Sequence, residues 1–165
     1  MKIVSVWRGF TQVELILSMG ILMVLISILT TLFGQILDVQ TQSKATSSVD
    51  QNGRFMLARL IHDMQSASNI VTPAAPGSQS ATLQINVNSV NYIYNLDNNG
   101  NLLLTNNLGT NALNSYDASI SGLMFTRIGN GDINDTVRVA FTVTSRVQQA
   151  NVFEQKSYQT TLGLQ

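Results

Sequence analysis

The sequence predicts an α+β fold, one long N-terminal helix followed by an antiparallel β-sheet. Three observations predict it. An uncharged run of 23 residues, Leu15 to Leu37, follows a short basic leader. A helical period of apolar side chains lies between Arg54 and Ile70. From Leu83 onward, apolar and polar residues alternate as they do in half-buried strands. A helix with one apolar face and a sheet with one apolar face bury those faces against each other.

The elements follow in chain order. The leader, Met1 to Gly9, carries Lys2 and Arg8. At a helical rise of about 1.5 Å per residue, the uncharged run would reach roughly 34 Å, enough to cross the hydrocarbon core of a bilayer. Its borders are marked by Glu14 and Asp38. A secretory signal peptide has a shorter apolar stretch ending in a small-residue cleavage site, and no Ala-x-Ala pattern occurs here. A plain transmembrane anchor fits the length but gains nothing from a carboxylate at its lip, where burying a charge is costly. From Asp38 to Ser48 the chain is polar and permits helix. Gly53 is expected to interrupt it, at a cost of about 1 kcal/mol relative to Ala. Met56, Leu60, Met64 and Ala67 then form an apolar stripe, widened by Leu57 and Ile61. Pro73, Pro76 and Gly77 end the helix.

The remainder reads as strands. Leu83, Ile85 and Val87 alternate with polar residues, as do Val90, Tyr92, Tyr94 and Leu96 beyond Asn88-Ser89. Asp97-Asn98-Asn99-Gly100 is a hairpin turn leading to Leu102–Leu104, which completes a three-strand meander. An Asn-rich loop is expected from about Asn106 to Asp117, then strands over Ile120–Ile128, Val137–Val143 and Tyr158–Leu164. A single sheet beside one helix is the economical arrangement. The expected boundaries are 1–9 for the leader, 10–37 for the apolar helix, 38–72 for its amphipathic continuation and 73–165 for the sheet domain.

Composition narrows the function. The length suits one soluble domain attached to the apolar helix. Nine basic residues balance nine acidic ones, and loss of Lys2 and Arg8 with the leader would leave seven against nine, about −2. The basic residues are dispersed, so no patch points to nucleic acid. There is no cysteine, and hence no disulfide to hold a C-terminal loop.

One segment carries a family resemblance. Gly9-Phe10-Thr11-Gln12-Val13-Glu14, followed at once by an apolar helix, resembles the processing motif of type IV prepilins and pseudopilins. The resemblance implies a type IV pilin-like fold, cleavage after Gly9 by a prepilin peptidase, and methylation of the new N-terminal Phe10. Glu14 then becomes the fifth mature residue, where the family places its characteristic glutamate. The amine of Phe10 would neutralise Glu14, in its own chain or in a neighbouring subunit, and so set the register of assembly. The segment from Gln51 to Ala67 and the two late strands are similar in pattern to PilW-type and PulJ-type minor pilins and pseudopilins. Many major pilins carry a Pro in the second half of the apolar segment, where this chain has Thr30, Thr31 and Gly34. The partners implied are the peptidase, other pilin subunits, an inner-membrane assembly platform and the membrane itself. Nucleic acid enters only through a DNA-uptake pilus. The implied location is the cytoplasmic membrane, single-pass, with the C-terminal domain outside the cytoplasm, and then a pilus or pseudopilus. The alternative is a single-pass anchored binding module that never polymerises.

Candidate chemistry is sparse, and no enzyme is expected. His62 is the only histidine and cannot build a metal cluster alone. Asp132, Asn134 and Asp135 place oxygens along one loop in a manner reminiscent of calcium loops, but the distal glutamate of an EF-hand is missing. The same residues suit an Asx-rich hairpin turn. No Gly-x-Ser-x-Gly elbow and no Gly-rich phosphate loop occur. Met19 and Met23 are expected to serve packing.

Overall fold

A computed structural model describes residues 11–128, 135–149 and 152–164. Among these described residues are one helix and nine strands: α1 Gln12–Gln65, β1 Ala67–Thr72, β2 Gln79–Ser80, β3 Leu83–Val87, β4 Val90–Leu96, β5 Leu102–Asn106, β6 Gly109–Ala112, β7 Ala118–Arg127, β8 Thr136–Gln149 and β9 Val152–Gly163. The fold is α+β, a long N-terminal helix with antiparallel sheets packed on it. Contacts divide the chain into two compact units, Met1–Gln40 and Thr41–Gln165.

In the first unit, the described residues are helical from Gln12 and their side chains are exposed throughout. In the second, the helix buries one stripe, Ala45, Val49, Asn52, Gly53, Met56, Leu60, Asp63 and Met64. That spacing of three and four is the amphipathic period the sequence displays. Two sheets receive it, with strand orders β1-β3-β4-β5-β6 and β2-β7-β8-β9, all pairs antiparallel. Leu83, Ile85, Tyr94 and Leu102 of the first sheet join Phe125, Val137, Val139 and Val143 of the second in one core with the helix.

Turn chemistry fixes the registers. Asn88 and Ser89 both have positive φ, 49° and 66°, between the paired Val87 and Val90. That is the two-residue turn whose twist matches a hairpin. At the next turn, the Asp97 carboxylate accepts the backbone N–H groups of Asn99 (2.9 Å) and Asn101 (2.7 Å). These bonds, that of Asn101 foremost, hold its pKa below the usual carboxylate value. Gly122, at φ 63°, lies within the irregular pairing of β7 with β8 between Ser121 and Met124, where a bulge needs a residue tolerant of that backbone.

Several expectations are corrected. The helix runs through Gly53 without a break and ends at Gln65, not near residue 72. Ala67–Thr72 is a strand paired with β3. A register shift between Ala67 and Asn69 brings Ala67 and Ile70 onto one buried face, so an irregular strand displays the spacing of a helix. Residues 109–112, expected in a loop, form the short edge strand β6. The last strand begins at Val152 instead of Tyr158, and the strands form two sheets instead of one. The alternation at Val137, Val139, Phe141 and Val143 is borne out, each being buried.

Candidate assembly site at the head of the helix

The head of α1 is built by Thr11 and Glu14. The Glu14 N–H donates to the Thr11 hydroxyl at 3.3 Å, and the Thr11 N–H donates to the Glu14 carboxylate at 3.4 Å. The Thr11 hydroxyl also lies 3.4 Å from that carboxylate. This reciprocal pairing is a capping box, with Thr11 at the cap and Glu14 three residues on. It satisfies N–H groups that would otherwise be orphaned at a helix start. All three contacts are at the long end of hydrogen-bond geometry, so they leave the carboxylate free to accept a stronger donor. The Thr-x-x-Glu spacing went unread in the sequence, and it is the signal that could have placed this helix start independently of any family motif.

Beyond Glu14 the helix exposes Leu15, Ile16, Leu17, Met19, Ile21, Leu22, Met23, Val24 and further large apolar side chains to Val39. The described helix is long and apolar enough to cross a membrane, and none of its most apolar window is buried. Three of its hydroxyls are compatible with lipid. Ser27, Thr30 and Thr31 donate to the carbonyls of Met23, Ile26 and Ser27 at 2.9, 2.8 and 3.0 Å. Each thereby satisfies its own polar atom inside the helix. Gly9 and Phe10 lie outside the described residues.

The calcium candidates divide. Asp132 and Asn134 lie outside the described residues. Asp135 is buried, and both its oxygens face the Arg127 guanidinium, with Nε at 3.0 Å and the second arm also bonded. The other Arg127 nitrogen donates to the carbonyls of Ala74 (2.8 Å), Pro73 (3.1 Å) and Ile70 (3.4 Å). One arginine thus joins β7, the head of β8 and the turn after β1, around a cis Thr72–Pro73 bond. Among the described residues, no group of three acidic, cysteine or histidine side chains could hold a metal. His62 is exposed in the last turn of the helix, where its carbonyl accepts from Ser66.

Three further polar clusters escaped sequence reading because each joins distant segments. Asp63 accepts from Arg59 at 2.8 Å and from the Tyr94 hydroxyl. Burial, then the Asp63 carboxylate, drives the Tyr94 pKa upward. Asn52 accepts the Ser115 N–H at 2.7 Å and donates to the Ser48 carbonyl at 2.8 Å. Asp50 accepts from Lys156 at 2.7 Å and from the Tyr158 hydroxyl at 3.1 Å. The Lys156 bond is the main cause of a lowered Asp50 pKa. Burial, followed by the Asp50 bond, pushes the Tyr158 pKa up to about 12.

Fold and site together define an α+β chain carrying one helix able to span a membrane. Comparison of the chain with protein-family models, curated proteins and solved structures finds no match.

Proposed function

We propose that this chain is a minor pilin or pseudopilin. A prepilin peptidase cuts it after Gly9, and its apolar helix assembles into a type IV pilus or a type II secretion pseudopilus. The observation that carries the reading is the register at the head of α1. Gly9-Phe10 stands immediately before a Thr11–Glu14 capping box, and a fully exposed apolar helix follows it.

The chemistry follows from that register. Cutting after Gly9 converts the Phe10 amide nitrogen into a cationic amine one residue ahead of the cap. Glu14 has weak contacts to Thr11 and a carboxylate able to accept a charge-assisted bond. In low dielectric, the amine and carboxylate stabilise each other far more than in water. In lipid, helices associate by van der Waals packing, because tails and side chains are equally apolar. Once drawn out of the bilayer, the exposed Leu, Ile, Met and Phe side chains bury against other copies at about 25 cal/mol per Å². Both Asp135 oxygens are occupied by Arg127, so Asp135 does not serve as a calcium ligand in this reading. No catalytic group is needed for this role.

Mass spectrometry of protein from cells with an active prepilin peptidase tests the reading. The expected result is a chain that starts at a methylated Phe10, and Gly9→Val should leave it uncut. A chain that still begins at Met1 overturns the proposal in favour of a single-pass anchored binding module. Glu14→Gln isolates the charge, because Gln at the third helical position still completes a capping box. It should insert and stay helical yet enter filaments about tenfold less, the effect of losing roughly 1.4 kcal/mol. Normal incorporation of Glu14→Gln would restrict Glu14 to capping.

A further inference from the structure

We propose that the outer face of the five-stranded sheet docks a neutral glycan. The inference concerns a different surface from the apolar helix and stands whether or not the chain enters a filament. It begins with a gap in the charge distribution. Between Asp63 and Arg127 the only charged residues are Asp97 and Asp117, while 12 asparagines fall between Asn69 and Asn114. The depletion is local, since helix residues 41–65 carry Lys44, Asp50, Arg54, Arg59 and Asp63, and β9 carries Glu154 and Lys156.

Strand register places four of those asparagines, Asn69, Asn86, Asn91 and Asn95, on one surface. Leu83, Ile85, Val87, Tyr94, Leu102 and Leu104 point into the core, so the alternate residues face out. Pairing then aligns them in rows across the strands. One row is Asn69, Asn86 and Asn91. A second is Thr72, Gln84, Ile93, Thr105 and Thr110, crossing all five strands. A third is Asn95, Leu103 and Ala112. The Thr105 and Thr110 hydroxyls meet at 2.8 Å, which places both on the same side. No charged residue stands in any row. Asn69, Asn91, Thr110 and Ala112 are exposed, and the others are half-buried by their neighbours.

The chemistry of these rows selects the partner. Each amide offers two donors and an acceptor, and each threonine hydroxyl offers both functions. Sugar hydroxyls have the same dual character and form paired bonds with amides. Ile93 and Leu103 supply a small apolar centre on which the C–H face of a sugar ring can lie. Neighbouring strands are about 4.8 Å apart, close to the advance of one pyranose unit in an extended chain. Nucleic acid and acidic headgroups require cations, and this face has none. An amphipathic helix needs a continuous apolar stripe, and the rows offer only Ile93, Leu103 and Ala112, with Val71 exposed beside Thr72.

Cosedimentation of the full chain in detergent micelles with insoluble cellulose, amylose and chitin tests the proposal, with heparin beads as the anionic probe. Binding to at least one neutral polymer is expected, unchanged between about 0.05 and about 0.5 M salt because no ion pair contributes. The double substitution Asn86→Asp with Asn91→Asp should weaken that binding about tenfold. Asn98→Asp, in the turn off the face, should leave it unchanged. A cooperative melt of each variant confirms that the sheet persists. The proposal is overturned by binding to none of the neutral polymers, binding to heparin alone, or neutral binding that ignores the double substitution. It is also overturned if the double substitution splits a dimer seen by analytical ultracentrifugation, since the face would then pair with a second copy.

Discussion

Gly53 and Tyr158 illustrate how a single residue is determined by a distant one. A Cβ at Gly53 would overlap the Tyr158 ring, which itself stacks on Phe141 with centroids 5.5 Å apart. The sequence displays a glycine and suggests a helix break, but the reason for the glycine lies 105 residues downstream in β9. Gly53→Ala should therefore destabilise the domain. Overpacking costs about 2 kcal/mol and helix propensity returns about 1 kcal/mol, a net loss of about 1 kcal/mol by chemical denaturation. With Tyr158→Ala already in place, the same change should instead stabilise by up to about 1 kcal/mol. A loss unchanged in that background would remove the steric account. Tyr158 also sets an alkaline limit. An unfolded tyrosine ionises near 10, whereas the folded side chain keeps its proton to about 12. Between those values the folded state holds one more proton than the unfolded one, so stability present below pH 10 is lost as pH rises toward 12. Denaturation midpoints measured across that window should fall less steeply for Tyr158→Phe than for the parent chain. Glu14 caps the helix start with Thr11, a local role that went unread in the sequence.

At the level of elements, regular alternation was readable and irregular pairing was not. The strands at Leu83–Val87 and Val137–Val143 follow a period of two and bury the residues expected, whereas in Val90–Leu96 Tyr94 is buried and Val90, Tyr92 and Leu96 are half-buried. Ala67–Thr72 failed because a bulge counterfeits helical spacing, and Gly109–Ala112 because an exposed edge strand has no apolar signature. Arg127 was opaque for another reason: besides Asp135, its partners are carbonyls of the chain near Pro73, more than fifty positions earlier. Removing one half of a buried ion pair leaves an uncompensated charge, at a cost of about 3 kcal/mol or more. Arg127→Met should cost that much in denaturant unfolding. The paired change Arg127→Met with Asp135→Leu should cost markedly less, because no charge is stranded. Equal losses in the two variants would mean that the carbonyl contacts, and not the charge, carry the stabilisation.

At the scale of the whole molecule, contacts divide the chain into two compact units, Met1–Gln40 and Thr41–Gln165. The apolar half was legible from length and charge alone, since crossing a membrane demands little else of a helix. The existence of two sheets was not, because strand count and alternation do not tell which edges remain open. The second unit encloses its own core, drawn from helix residues after Thr41 and both sheets. A chain starting at Gln40 should therefore be soluble and melt cooperatively in calorimetry. An aggregate without a transition would show that the apolar half is required for folding. Asn52, clamped between the Ser48 carbonyl and Ser115, has one last consequence. Asparagine followed by glycine is prone to spontaneous deamidation, which requires the glycine nitrogen to swing onto the side-chain carbonyl. The helix forbids that swing at Asn52-Gly53, while exposed Asn99-Gly100 sits in a turn with Gly100 at φ 74°. Chemical ageing of the described chain therefore begins at a hairpin tip and spares the rod.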